Sequence, residues 1–125
     1  MKSAAGVIVF ALAGSLPSIA ADLITTTGWL SDEACATSRA KAGLYTVTNP
    51  DCALECIRAG KNTVLIAEKE KAIFVIDNPQ TVRDHFAEHL QVTGTLDARS
   101  KRLHVTSLKD LGDYQGPACA RPKRR

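Results

Sequence analysis

The sequence predicts a mainly β domain of the α+β class: five strands rolled into a small barrel, one helix after strand 1 and one between strands 3 and 4. Three observations predict it. Short runs of β-branched and large apolar residues recur, separated by charged or glycine-bearing turns. Two Asn-Pro dipeptides, at Asn49-Pro50 and Asn78-Pro79, each open a stretch of helical periodicity. The 125 residues leave room for one modest core, not two.

Residues 1–20 stand apart from that domain and read as a secretory signal peptide. Lys2 gives a positive start, residues 4–13 carry no charge, Pro17 breaks the apolar run, and Ser18-Ile19-Ala20 offers a small-x-small cleavage site. The apolar stretch is shorter than the ~20 residues that a membrane-spanning helix needs. The mature protein is therefore expected to be periplasmic or secreted, without stable membrane insertion, in a compartment where thiols oxidise.

Residues 21–111 are expected to form the domain. Ile24, Thr25, Thr26, Thr27 and Trp29 mark strand 1 over residues 22–30, with Gly28 as a bend or bulge. Residues 31–48 read as a loop with at most a helical turn. Asn49 caps a helix over residues 50–59, Pro50 fits its first position, Asp51 suits the positive end, and Gly60 closes it. Cys52, Cys56 and Ala59 share one face of this helix and are expected to point at the core. Thr63–Ala67 and Ala72–Ile76 are strands 2 and 3, joined by the charged turn 68–71. A second helix is expected over residues 79–89, burying Val82, Phe86 and Leu90. Strands 4 and 5 fall at 91–96 and 102–108, with Leu103 and Val105 inward and His104 and Thr106 outward. Residues 112–125 form a basic tail that holds Arg121, Lys123, Arg124 and Arg125, and is expected to be flexible except where Cys119 ties it.

Five strands with a helix between the third and fourth is the order of an OB-type barrel. The run Gln91-Val92-Thr93-Gly94-Thr95-Leu96-Asp97, followed by Leu103-His104-Val105-Thr106-Ser107-Leu108, resembles the last hairpin of exported bacterial OB-fold proteins. Ser31-Asp32-Glu33-Ala34-Cys35, followed by Asp51-Cys52-Ala53-Leu54-Glu55-Cys56, is similar to a group of small secreted bacterial proteins with a Cys…Cys-x3-Cys pattern. The resemblance covers about residues 28–108. It implies the OB-like fold and carries no reaction with it. Members of that group often place a histidine four residues after the first cysteine; this chain has Arg39 there, which cannot ligate a metal.

Four cysteines in an exported chain predict structural disulfides among Cys35, Cys52, Cys56 and Cys119, with three possible connectivities. Cys52 and Cys56, one turn apart, are held too far apart on a helix for an easy bond to each other. A bridge from Cys35 to either would pin the 31–48 segment, and the remaining cysteine would take Cys119. The alternative reading of the same atoms is a metal site made by Cys35, Cys52 and Cys56 for a soft ion such as Cu(I) or Zn(II).

Other chemistry finds little support. There is no Cys-x2-Cys for redox work or covalent haem. His85-Phe86-Ala87-Glu88-His89 has its glutamate in the wrong place for a zinc protease, and His85 and His89 read as exposed helix residues. The aspartates are scattered, and no nucleophile or phosphate-binding glycine loop stands out. The net charge of +3 resides mainly in the tail, and aromatics are few, which argues against nucleic acid. The sequence thus predicts no enzyme and no cofactor. It predicts an exported binding or interaction module for an unidentified small-molecule, polymer or protein ligand. The ligand face is expected between the 31–48 segment and the turn joining strands 4 and 5.

Overall fold

The computed structural model describes residues 21–113, with Gly6 and Gly14 as isolated further positions. The expected signal peptide, Cys119 and nearly all of the expected tail lie outside the described residues. The chain runs β1 (Asp22–Asp32), α1 (Glu33–Lys41), α2 (Pro50–Arg58), β2 (Thr63–Ala67), β3 (Ala72–Ile76), β4 (Leu90–Asp97) and β5 (Arg102–Asp110). The architecture is mainly β: one mixed five-stranded sheet with two helices.

Strand β1 is long because it serves two partners. Its residues 22–28 pair with β4, and residues 28–32 pair with β2, both antiparallel. Gly28 is the corner, opposite Ala67 on one side and Leu90 on the other. The order β1-β2-β3-β5-β4 returns to β1, so every strand has a neighbour on both sides. The seam is the parallel β3–β5 ladder, only Val75↔Arg102 and Ile76↔Leu103. At the β4–β5 turn, Asp97 Oδ1 accepts from the Arg99 and Ser100 backbone N–H groups at 3.0 and 3.4 Å. These bonds hold its carboxyl below the usual carboxylate range.

Two apolar clusters follow from the alternation of side chains. Inside lie Leu30, Leu65, Phe74, Ile76, Leu90, Val92, Leu103 and Val105, with Ala53 of α2 and Val82 and Phe86 closing the ends. Outside β2, Val64 and Ile66 are buried under Ala36 of α1, with Trp29, Tyr45, Ile73 and Val75 around them. All five β2 residues are therefore buried, on both faces.

Four expectations need correction. The 31–48 segment holds a full helix, α1, because Asp32 caps it, Glu33 fills its first turn and Arg39 and Lys41 its last. The helix expected over 79–89 is two single 3₁₀ turns, Pro79–Thr81 and Arg83–His85. Ala87 beyond them adopts φ +67, which no α-helix continues through. Val82, Phe86 and Leu90 are nevertheless buried as expected. On α2 the core-facing residues are Ala53, Leu54 and Ile57, while Cys52 and Ala59 are exposed and Cys56 is half-buried. His89, expected at the surface of a helix, is instead half-buried and stacked on Trp29. Leu103, Val105 and exposed His104 stand as the alternation predicts.

Candidate functional site

The site forms where β1 ends. Asp32 pairs with Thr63 of β2 and is fully buried. As N-cap of α1, its Oδ2 accepts a hydrogen bond from Cys35 N–H at 2.9 Å. Its other oxygen, Oδ1, has no hydrogen-bond partner. An unsatisfied buried polar atom costs about 1–3 kcal/mol, and more when charged.

The chain then returns beside the same strand end. The buried hydroxyls of Ser31 and Thr48 lie 2.5 Å apart and fix the loop after α1. Asn49 follows at once, and its Oδ1 accepts from Asp51 and Cys52 N–H at 2.9 and 3.3 Å to start α2. About two turns on, Cys56 faces Cys35. The thiol sulfurs of Cys35 and Cys56 and a carboxylate oxygen of Asp32 all lie within 4.8 Å of one another. The Cys35 thiol is pushed up to about 12, first by its hydrogen bond to Asp32, then by burial, then by the charge of Asp32 and by Cys56. Without a cation beside it, this thiol is therefore a poor nucleophile near neutral pH.

Of the three cysteines among the described residues, the fold brings together Cys35 and Cys56. Cys52 is exposed and outside the cluster, because one helical turn separates it from Cys56 and α2 presents its Ala53 side to the core. Of the alternative metal set of Cys35, Cys52 and Cys56, the structure thus places Cys35 and Cys56 together and Cys52 apart. Cys35, Cys52 and Cys56 are free thiols in the structure. Asp32 is the residue that sequence reasoning missed. The signal was present: an acidic residue ends a β run and stands three positions before a cysteine, the spacing of a capping side chain over its N3 residue.

The histidines are engaged elsewhere. His85 Nδ1 lies 2.8 Å from Glu88, and His104 Nδ1 2.7 Å from Asp77. His89 sits between Asp113 and Glu68, 2.8 and 2.9 Å away, the second contact not being an aligned hydrogen bond. Arg39, where the resembling group carries histidine, donates to Thr46 Oγ1 at 3.1 Å.

The expected ligand face is also roofed. The row Ser31–Val64–Val75–Arg102 runs from the 31–48 segment to the β4–β5 turn across neighbouring strands. Helix α1 packs over that row through Ala36. A cleft of about 230 Å³ lies at the start of β2, lined by Leu54, Ile57, Thr63, Ile76, Arg83 and Phe86. That is below the ~300–1,000 Å³ of ordinary small-molecule pockets.

Comparison with protein-family models, curated proteins and solved structures gives no match for this chain.

Proposed function

We propose that this chain is a small exported, non-enzymatic binding module on an OB-type barrel, in which α1 and α2 form an insertion joined at Cys35 and Cys56. The convergence of these two thiols carries the reading. Two short helices, each of nine residues, are marginal alone and gain their order from tertiary ties. A link between Cys35 and Cys56 fastens both to the end of β1. The closed order β1-β2-β3-β5-β4 supports the OB-type assignment.

The insertion also moves the working surface. OB barrels commonly bind ligands on the strand 2–3 face between the flanking loops. Here Ala36 and Tyr45 cover that face. The surface left for an unidentified small-molecule, polymer or protein ligand is the insertion itself, and the covered face also argues against stacking of nucleic-acid bases there. The leader-like residues 1–20 support export to the periplasm or medium.

Intact mass and hydrogen exchange test this reading. Protein recovered from the exporting compartment is expected to begin at Ala21 and to show protected amides in α1. Cys56→Ser is expected to raise exchange across α1 selectively. A mass retaining Met1, or α1 exchange that Cys56→Ser leaves unchanged, overturns it.

A further inference from the structure

We infer that Asp32, Cys35 and Cys56 bind a divalent thiophilic cation of the Zn²⁺ class, and that this ion, not a sulfur–sulfur bond, joins α1 to α2. The inference rests on the reading above that the two cysteines link the helices, and it names the link.

Asp32 decides between the two links. It is fully buried, its Oδ1 has no hydrogen-bond partner, and one oxygen of the same carboxylate belongs to the cluster. A disulfide would do nothing for Oδ1. It would also remove the Cys35 S–H that faces Asp32, leaving a buried carboxylate against two apolar sulfurs. A cation among the three donors compensates the carboxylate, which the protein leaves one hydrogen bond short. Buried charges persist where they are paired or bound to metal.

The donor set selects the ion. Two thiolates favour soft or borderline ions over Mg²⁺ and Ca²⁺, which take oxygen ligands. A carboxylate as third ligand suits Zn²⁺, which accepts sulfur and oxygen together in tetrahedral geometry. Bond lengths of ~2.3 Å to sulfur and ~2.0–2.2 Å to oxygen place tetrahedral donors roughly 3.5–3.8 Å apart. The present separations of up to 4.8 Å need a contraction that side-chain rotation supplies. As each sulfur–metal bond forms, that thiol gives its proton to solvent; no electron moves. Two thiolates and a carboxylate carry three negative charges against two positive, and the fourth tetrahedral position stays open to water or an incoming donor.

The placement is consistent with such a centre. One ligand ends a strand, one lies in the first turn of α1, and one in the last turn of α2. All three therefore come from elements that the sheet or its caps already position. Cys52 lies one turn before Cys56 but is exposed and outside the cluster, which makes it an internal control.

The test uses the full mature chain, reduced and freed of metal under exclusion of air, with Co²⁺ as the optical probe and Zn²⁺ as competitor. One Co²⁺ per chain is expected, with sulfur-to-cobalt charge-transfer bands and the visible bands of tetrahedral Co²⁺, all displaced by Zn²⁺. Cys52→Ser is expected to bind like the parent. Cys35→Ser and Cys56→Ser are expected to lose the charge-transfer bands. Asp32→Asn, which keeps the capping acceptor, is expected to weaken binding by at least the roughly ten- to hundredfold that loss of an outer-shell partner costs. Circular dichroism of each variant separates lost binding from lost folding. Failure of the reduced parent to bind Co²⁺ or Zn²⁺ overturns the inference, as does equal binding by Cys35→Ser and Cys56→Ser. Exported protein two hydrogens lighter, with Cys35 and Cys56 peptides cross-linked, overturns the ion while leaving the helix link intact. Free thiols, no bound metal and α1 exchange insensitive to Cys56→Ser overturn both.

Discussion

The Asn78 side chain pairs with the Val105 backbone as a strand would: Oδ1 accepts from Val105 N–H at 2.9 Å and Nδ2 donates to Val105 C=O at 2.7 Å. It extends the weakest seam of the sheet. The β3–β5 ladder has two residue pairs, flanked by backbone bonds Val75 N–H to Lys101 C=O and Asp77 N–H to Leu103 C=O. Asn78→Ala strands both groups of Val105 in a part-buried place and is expected to cost about 1–3 kcal/mol. Asn78→Asp keeps the acceptor but sets an oxygen against the Val105 carbonyl, so it should fall below the parent as well. Urea denaturation checks both; a loss under about 0.5 kcal/mol for Asn78→Ala would mean that the seam does not depend on this side chain.

Gly28 allows the corner of β1. A Cβ there would lie 1.9 Å from the Ile66 carbonyl oxygen, a backbone atom that cannot swing aside. Gly94, beside the β4–β5 bulge, meets His104 C=O at 2.2 Å in the same way. Gly28→Ala is expected to destabilise by about 1–3 kcal/mol or more, because the pairing with β2 must separate. Thermal unfolding checks it, and an unchanged Tm would show that the corner is looser than the register implies.

These two cases show where the sequence was legible. Strands β2 and β3 fall at the residues expected, since Thr63–Ala67 and Ala72–Ile76 are apolar runs bounded by charge on a short turn. The start of α2 was legible because the Asn49-Pro50 cap chemistry is local. Asn78-Pro79 carries the same dipeptide, but Val105, 27 residues away, takes the Asn78 side chain, and no local pattern reveals that. Helix α1 escaped notice because only Ala36 on it is buried, so it lacks an apolar stripe. Phasing α2 by its cysteines rather than by Ala53 and Ile57 turned its face away from the core. The candidate site was half legible: Cys35 and Cys56 were singled out, whereas the role of Asp32 arises from the meeting of β1, β2 and α1.

Trp29, the one tryptophan of the chain, stands three residues before Asp32 on β1. His89 stacks on it with ring centres 4.5 Å apart and planes 15° apart, and Trp29 Nε1 donates to Glu68. His89 also anchors the chain after β5, through Asp113 and through Leu111 N–H to its carbonyl at 2.9 Å. His89→Ala is expected to cost about 0.5–1.5 kcal/mol from the ring contact and to red-shift Trp29 emission as water reaches the indole. Fluorescence during urea unfolding gives both readings; a native spectrum unchanged by His89→Ala would rule out the stack.

In the reduced, metal-free protein, Asp32 should make Cys35 a slow thiol. Its pKa stands at about 12 against an ordinary 9.0, with the Asp32 hydrogen bond as the leading cause. The folded state thus holds this proton more tightly than the unfolded chain. The associated stability is fully present below about pH 9, and it is lost as pH rises from 9 toward 12, because the unfolded chain ionises first. Urea midpoints of the reduced protein are expected to fall across that window, and Asp32→Asn to flatten the fall. Alkylation by iodoacetamide near pH 8 gives the residue-level check. Exposed Cys52 is expected to react fast, Cys35 slowly, and Cys35 of Asp32→Asn faster than in the parent. If Cys35 reacts equally fast with and without the Asp32 carboxylate, access rather than the proton governs it.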